Sequence, residues 1–367
     1  MPATLLFRAD DLRDFMIRYF TALNVPAADA AVTADVLLSA DLRGVDSHGI
    51  IRLYTYYGSR LRSGKMDPHT PYRLTHETPT TLNFDGGNGL GQVVSHHAMQ
   101  RCIEKAREMG IAMVSVHNSN HYGIAGYYAM MALPHDMIGI SFTNSQPLVA
   151  PTYGRTAVLG TNPIAVAVPA GSQRPYVLDM ATSIVPIGRV TVYDKAGKTM
   201  PAGWGINPRG EVTTTPAEVL QGGALMPLGG VDIMRGYKGY GLSLWVDIFS
   251  GVLSGAAFLA HVGHPSSTRP NADVGHFFAA MRVDAFRPLD EFKADMDAML
   301  GELKDAPKAA GQERIYIHGE KEFERAERYQ NQGVPLLANV AEGLRTSAAE
   351  IGVSFPDPIG QAAEEDA

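Results

Sequence analysis

The sequence predicts an α/β protein with a helical part at each end of the chain. Between residues 76 and 287, short apolar runs alternate with segments of helical periodicity, which is typical of strands that alternate with helices. Residues 1–75 and 288–355 show mainly helical spacing. We therefore predict a discontinuous, mainly helical domain, 1–75 plus 288–355, around a central α/β domain, 76–287, with a loose tail over 356–367.

The N-terminal part is predicted to form two helices. Apolar residues recur every three or four positions over 10–24, which predicts a helix with Asp10 as its cap. The Ala-rich segment from Ala27 to about Asp41 predicts a second helix. The polar segment that follows, through Tyr72, is predicted to be helical in part.

The central and C-terminal parts follow the same reasoning. Apolar or β-branched runs predict strands at 80–84, 111–116, 137–143, 164–168, 176–180, 276–283 and 315–317. Helical spacing predicts helices over 92–109, 124–133, 239–253 and 288–304, and then two more that are separated by Pro335. Residues 194–230, rich in Gly, Pro and Thr, are predicted to form loops.

Charge and composition narrow the class of protein. The net charge is −7 and Lys and Arg are scattered, so we expect no nucleic-acid partner. No apolar run reaches about 18 residues and the N-terminus lacks a basic and apolar leader, so we expect no membrane partner and a cytoplasmic location. Cys102 is the sole cysteine, which excludes a disulfide within the chain. His96–His97 and the pair His261 and His264 are weak metal candidates, and we expect no metal site.

The segment from Asp41 to Arg52 contains the closest grouping of side chains that could take part in a reaction. Ser47 and His48 can together handle a proton, and Arg52 lies four residues beyond His48, so that both would share one face of a helix. An imidazole that moves a proton beside a cation that holds a carboxylate is what interconversion of a 2-hydroxy acid and a 2-keto acid needs. A capped helix with a surface histidine and an ordinary salt bridge is the structural alternative.

Four further segments hold candidate ligand contacts. Residues 118–125, with His121, follow a predicted strand and lead into a helix, where α/β sheets often place ligands. Thr161 lies in a turn, Asp179 ends an apolar strand, and Lys238 lies between glycines. Each segment has a structural alternative as a turn, a helix cap or a flexible loop. No G-x-G-x-x-G segment follows a strand and opens a helix.

Taken together, these segments resemble the type 2 malate/L-lactate dehydrogenase family of NAD(P)-dependent oxidoreductases. The resemblance runs from about residue 5 to about residue 350 and rests on six segments in the family's order: 43–52, 119–123, 159–163, 178–183, 227–230 and 236–242. It implies a mixed-sheet cofactor-binding domain unlike the usual Rossmann domain, which agrees with the missing glycine motif. It also implies a homodimer with active sites near the subunit interface.

The resemblance also implies roles for residues. His48 would be the acid/base with Ser47 as relay, or His121 the proton acceptor; Arg52 and Thr161 would hold the substrate. The cofactor, NAD or NADP, would contact His121, Tyr122, Gly123, Ile124, Ala125, Asp179, Met180, Ala181, Lys238, His318, Gly319 and Glu320. Two positions depart from the family: His318 stands where many members have proline, and Ile187 where some imine-reducing members have a polar relay residue.

The function predicted from these residues is reversible hydride transfer between NAD(P)(H) and a small 2-hydroxy or 2-keto acid, with malate or L-lactate favoured. Reduction of a cyclic imine acid, reduction of diketogulonate and oxidation of ureidoglycolate are alternatives on the same scaffold. A ligand-binding protein without catalysis is the alternative from another class, against which the intact Ser47, His48, Arg52 and Lys238 argue.

Overall fold

The computed structural model describes residues 4–263 and 271–362. The helices are α1 (Ala9–Ala22), α2 (Ala27–Leu42), α3 (Gly58–Arg62), α4 (Gly91–Met109), α5 (Ala125–Met130), α6 (Ile187–Lys195), α7 (Pro216–Leu220), α8 (Tyr237–Asp247), α9 (Leu289–Asp305), α10 (Glu320–Gln332) and α11 (Ala338–Ala349). The strands are β1 (Thr4–Phe7), β2 (Arg73–Glu77), β3 (Thr81–Asp85), β4 (Ile111–Ser119), β5 (Met137–Thr143), β6 (Ile164–Val168), β7 (Tyr176–Met180), β8 (Gly205–Ile206), β9 (Val212–Thr213), β10 (Ala224–Leu225), β11 (Val274–Arg282), β12 (Val334–Leu337) and β13 (Gly360–Gln361).

A mixed seven-stranded sheet forms the centre of the molecule, in the order β2-β3-β4-β11-β5-β6-β7. Within the described residues, β3 and β4 are parallel and the other five pairings are antiparallel. Helices α4 and α5 cover one face through a core that includes Val114, Tyr128 and Phe278. Helix α8 covers the other face, where Val246 packs with Phe142 and Phe277. The α/β class with a central mixed sheet is confirmed.

The two ends of the chain meet in a second, smaller sheet in the order β12-β1-β13. The apolar cluster beside it joins residues from α1 and α2 to residues from α11. Pro335 pairs with Leu6 on the edge strand β12, where a residue without an N–H is tolerated. Helix α9 packs instead near the β6–β7 hairpin, because Met296 and Leu300 contact Tyr176 and its neighbours. The division into two domains stays a prediction.

Several local predictions were wrong, and most of the errors concern short strands. The predicted strand at 315–317 is irregular chain, whereas β1, β2 and β12 were missed. Residues 194–230 are not only loops, because they contain α7 and the small sheet β10-β8-β9. The tail from 356 is not loose up to Ala362, since β13 pairs with β1; residues 363–367 lie outside the described part. Such strands are specified by their pairing partners rather than by their own periodicity.

The remaining structural predictions concern the cap of the first helix, membrane-spanning helices and metal sites. Helix α1 begins at Ala9, so Asp10 lies in its first turn and is not its cap. Among residues 4–263 and 271–362, no helix is long and apolar enough to span a membrane. His264 lies outside the described residues, and within the part of the chain that the structure describes there is no cluster of three or more His, Cys, Asp or Glu side chains suited to a metal ion.

Candidate active site

A cavity of about 520 Å³ opens where the N-terminal helices, the end of the central sheet and the chain before α10 meet. Most of the predicted site residues line it: Ser47, His48, Gly123, Ile124, Ala125, Thr161, Asp179, Met180, Ala181, His318 and Gly319. These residues come from five separate segments of the chain. The structure therefore brings together what the sequence could only present as separate motifs.

The turn that carries Ser47 and His48 lies between α2 and a π-helical segment, Leu53–Tyr57. Residues 46–48 form a single 3-10 turn. The buried Asp41 at the end of α2 accepts a hydrogen bond from the Ile50 backbone N–H (2.7 Å), which ties the far side of the turn to the helix. The Asp41 carboxyl also leaves no room for a side chain at position 49, which is glycine.

His48 is a partly exposed imidazole on the wall of the cavity. Its Nδ1 lies 2.9 Å from the Ser47 hydroxyl. Burial, with a smaller contribution from the charge of Arg52, lowers the pKa of His48 to about 4. The imidazole is therefore neutral at neutral pH and can accept a proton there.

His121 lies directly behind His48. The two rings stack with centroids 5.3 Å apart. Nδ1 of His121 lies 2.6 Å from the hydroxyl of Tyr57, a fully buried residue of the π-helical segment. Burial, together with the nearby His48 and Arg52, holds the pKa of His121 well below its ordinary value.

Arg52 does not share a regular helical face with His48, contrary to the prediction, because Gly49 has extended backbone angles between them. The guanidinium reaches back instead, and its Nε donates to the carbonyl of Ser47 (2.6 Å). Within the described residues it forms no salt bridge of its own. A cation therefore lies beside both histidines with hydrogen-bonding capacity left for a carboxylate.

Thr161 approaches the cavity from the central sheet. Its backbone N–H donates to the Ser145 hydroxyl (3.0 Å), and its carbonyl accepts from the Thr182 N–H (2.9 Å). The next residue, the fully buried Asn162, donates through its side chain to the Ser243 carbonyl and accepts from the Ser145 N–H. These contacts fix the Thr161 backbone at the wall, and its hydroxyl lies 3.3 Å from the Ser145 hydroxyl.

Asp179 ends β7 and faces the start of α5. Its Oδ2 accepts from the Gly126 N–H (2.7 Å), while Oδ1 has no hydrogen-bond partner among the described residues. Enclosure by the cavity walls raises the pKa of Asp179 to about 6, against the Gly126 hydrogen bond and the charge of Arg43, which lower it. The free oxygen is placed to accept a hydrogen bond from a ligand hydroxyl.

Residues 316–319 close the cavity from the C-terminal side. The His318 carbonyl accepts from the Val177 N–H (3.0 Å), which ties this segment to β7. Gly319 has φ +94° and packs closely against Val177, so that a side chain at position 319 would be strained. His318 and Gly319 therefore form part of the cavity wall, which is compatible with the predicted cofactor contact.

Four predicted cofactor contacts, His121, Tyr122, Lys238 and Glu320, are not among the residues that line this cavity, and neither is the predicted substrate residue Arg52. The Tyr122 side chain is buried behind the wall, stacked on His276 with its hydroxyl near Ser141. Glu320 is buried and binds Lys304 and Arg314, so it holds α9 and α10 together instead of facing the cavity. Lys238 is exposed and is not a wall residue of this chain's cavity. The order of motifs cannot show which way a side chain points, so cofactor contact at these positions stays a prediction.

Other residues line the cavity that the sequence analysis missed: Arg43, Val45, Pro163, Val177, Pro186, Tyr316, Ile317, Lys321 and Glu322. Arg43 is 7% exposed, and its guanidinium lies 4.8 Å from the centre of the Phe323 ring. Burial lowers the pKa of Arg43, although Glu322 and Asp179 favour its charged form. In the sequence, only the position of Arg43 just before the Asp46–His48 turn could have indicated that it lies at the site.

This arrangement fits a dinucleotide. The volume lies in the range of about 300–1,000 Å³ found for ligand sites. Apolar groups such as Val177 and Met180 offer surface to flat rings, and the free Oδ1 of Asp179 suits a ribose hydroxyl. The Arg43 guanidinium offers a cation to phosphate.

The comparisons with known proteins agree with this geometry. The family model described as malate/L-lactate dehydrogenase matches residues 7–345. A malate dehydrogenase of Pyrococcus abyssi is 49% identical over 94% of each chain. An L-sulfolactate dehydrogenase of Methanocaldococcus jannaschii is 36% identical over 97% of this chain and 100% of its own.

A solved structure extends the likeness to the whole fold. The crystal structure of malate dehydrogenase from Entamoeba histolytica superposes with a TM-score of 0.92 at 37% identity, over 96% of this chain and 100% of that chain. The chain belongs to the malate/L-lactate dehydrogenase family, and its malate dehydrogenase relatives support an NAD(P)-dependent 2-hydroxy acid dehydrogenase.

Proposed function

We propose that this protein interconverts a small 2-hydroxy acid and its 2-keto acid, with malate as the preferred hydroxy acid and L-lactate as the second choice. The observation that supports the chemistry is the neutral His48 on the cavity wall, 2.9 Å from the Ser47 hydroxyl and beside Arg52, which forms no salt bridge among the described residues. The choice of malate rests on relatives named malate dehydrogenase, one of which is 49% identical.

The roles of the residues follow from their positions. NAD or NADP, when bound, supplies or accepts the hydride. In the oxidising direction, neutral His48 accepts the hydroxyl proton, and Ser47 exchanges a proton with its Nδ1. Arg52 binds the carboxylate of the acid, and Thr161 orients it with its hydroxyl. His121 is the second candidate for the proton carrier.

The cofactor contacts divide between two groups. We place the dinucleotide along Gly123, Ile124 and Ala125 on one side, and along Met180, Ala181, His318 and Gly319 on the other. Asp179 accepts hydrogen bonds from the hydroxyls of a ribose. Tyr122 and Glu320 support this wall from behind, and Lys238 contributes no wall surface within one chain.

We also propose a homodimer. Five large apolar side chains are exposed on or just after α8 at helical spacing: Leu244, Trp245, Ile248, Val252 and Leu253. Such a patch is typical of a protein–protein interface. A second copy is the occupant that the family resemblance implies. The expected location is the cytoplasm, with no nucleic-acid or membrane partner, as the net charge of −7 favours.

Imine reduction is the less favoured activity of this scaffold. Ile187 packs in an apolar cluster around Val190 and Leu225, so this position provides no polar relay. Diketogulonate reduction and ureidoglycolate oxidation remain alternatives that the substrate panel tests.

The experiment is an NADH and NADPH absorbance assay with oxaloacetate, pyruvate, sulfopyruvate, diketogulonate and piperideine-2-carboxylate, followed by the reverse reaction with malate, L-lactate and ureidoglycolate. We expect oxaloacetate and malate to give the highest kcat/KM. His48→Ala should lose about 10²–10⁴-fold in kcat while it still binds NADH, since it removes the acid/base alone. Wild-type protein that bound no dinucleotide would support a ligand-binding protein instead.

A further inference from the structure

We propose that Tyr57 fixes His121 as a neutral imidazole with its proton on Nε2, so that His121 acts as a hydrogen-bond donor and leaves proton transfer to His48. The assignment of a catalytic donor rests on the proposed dehydrogenase function. The tautomer itself rests only on contacts within the chain.

The contacts at Nδ1 of His121 determine its protonation state. The Tyr57 hydroxyl lies 2.6 Å away, and the Gly123 backbone N–H points at the same nitrogen from 3.4 Å. A backbone N–H can only donate, so Nδ1 must be the acceptor and cannot carry a proton. The hydroxyl then donates as well, and the single ring proton of the neutral imidazole is on Nε2.

The charged form of His121 is disfavoured by everything that faces it. An imidazolium would direct an N–H at the Gly123 N–H. The titratable and charged groups around the ring are His48, Arg52, His276 and the phenols Tyr56 and Tyr57. Arg52 is a cation, and a charged histidine would only add to the repulsion. These groups, together with burial, keep the pKa of His121 well below its ordinary value.

His48 lacks this restriction. Its Nδ1 partner is the Ser47 hydroxyl, which can donate to a neutral ring or accept from a protonated one. Because the two rings stack at 5.3 Å, a charge on one opposes a charge on the other. His48, on the cavity wall, can therefore change its charge during the reaction while His121 keeps a fixed proton on Nε2 for hydrogen bonding.

Tyr57 is held firmly enough for this task. It is fully buried, and its ring packs edge-on against Phe20 and Tyr56. Burial raises the pKa of Tyr57 above its ordinary value, against smaller opposing effects of Arg52 and Gln92, so the hydroxyl keeps its proton and can donate it in a hydrogen bond. The residue also closes the π-helical segment Leu53–Tyr57, a geometry that is frequent at functional sites. Tyr57 is thus a positioning residue that acts through His121.

The test is ¹⁵N NMR of full-length protein labelled at histidine, with His121→Gln used to assign the His121 signals. In the wild type we expect a pyridine-like Nδ1 and a pyrrole-like Nε2 at neutral pH, with no imidazolium down to about pH 5. A protonated Nδ1, or titration in that range, would overturn the proposal. This reading needs no activity, so it stands apart from a failure of the proposed function.

The variant Tyr57→Phe provides the second readout. We expect the His121 signals to move towards a tautomer mixture, and kcat to fall at least about tenfold with little change in KM, because the donor acts on charge that develops in the transition state. Tyr19→Phe is the matched control, since it also removes a fully buried hydroxyl, bonded to Ser347 (2.7 Å). Unchanged His121 signals in Tyr57→Phe, or an equal loss of kcat in the control, would contradict the role of Tyr57. The wild-type spectrum decides the tautomer even if Tyr57→Phe fails to fold.

Discussion

Substituting Gly49 by alanine should destabilise the protein and disable the turn that carries His48. A Cβ at position 49 would lie within 3.0 Å of all three outer atoms of the Asp41 carboxyl, a spacing that real Cβ atoms essentially never show. Asp41 is 2% exposed and has no solvent to move into. The carboxyl must therefore turn away from the Ile50 N–H, and the 2.7 Å hydrogen bond is lost.

The size of the effect follows from the groups left without partners. A buried polar group without its hydrogen bond costs about 1–3 kcal/mol. Two such groups, the Asp41 carboxyl and the Ile50 N–H, give an expected loss of about 2–6 kcal/mol in the free energy of unfolding. A shift of about 1 Å at the turn should also lower kcat/KM by about 10²-fold, because His48 would no longer meet its substrate correctly.

Urea unfolding and NADH-linked kinetics measure both effects. Gly301→Ala is the matched control, because a Cβ at position 301 of α9 meets no atom within 4 Å and the change should be neutral or stabilise by up to about 1 kcal/mol. Adding Asp41→Ser to Gly49→Ala should relieve the overlap, so that the double variant loses less than the sum of the single variants. A Gly49→Ala protein as stable and active as the control would refute the reasoning.

Three predictions of pH dependence follow from the groups whose pKa is shifted. Since the pKa of His48 is about 4, the fraction of protonated His48, which donates the proton when a keto acid is reduced, falls about tenfold per pH unit above that value. The kcat/KM for reduction should therefore decline between about pH 5 and pH 8, while the kcat/KM for oxidation stays level. A level profile for reduction would exclude His48 as the acid. Asp179, with a pKa of about 6, should bind ribose as a carboxylate, so NADH affinity measured by fluorescence titration should weaken as the pH falls below about 6, and Asp179→Asn should abolish that dependence. Hydrogen bonds from the Ser172 and Gln173 N–H groups are the main cause that lowers the pKa of Asp297 to about 2, so its contribution is present above about pH 4 and lost as the pH falls towards 2. Thermal scans should show a lower Tm for Asp297→Asn at pH 7, and a difference that persisted unchanged at low pH would count against this origin.

The long elements of the fold could be predicted because their signals are local. Periodicity indicated α1, α4 and α9, an Ala-rich run indicated α2, and unbroken apolar runs indicated β5, β6 and β7. The strands β1, β12 and β13 could not be predicted, because each is short and is stabilised by a partner from the opposite end of the chain.

The candidate site divides in the same manner. The order of the motifs was enough to name Ser47, His48, Thr161 and Asp179, which the structure brings to one cavity. It was not enough to exclude Tyr122, Glu320 and Lys238 from the wall, because side-chain direction depends on packing.

The amino-acid sequence by itself determined the α/β class, the family and the residue types that carry the chemistry, since all three can be inferred from residue spacing and composition. Only the tertiary structure decided that Arg43 and Glu322 join the cavity, that Asp41 supports the turn from beneath, and that Tyr57 meets His121 across 64 positions of the chain. The reason is physical: burial, hydrogen-bond partners and pKa shifts depend on neighbours that are distant in sequence, and they exist only once the chain has folded.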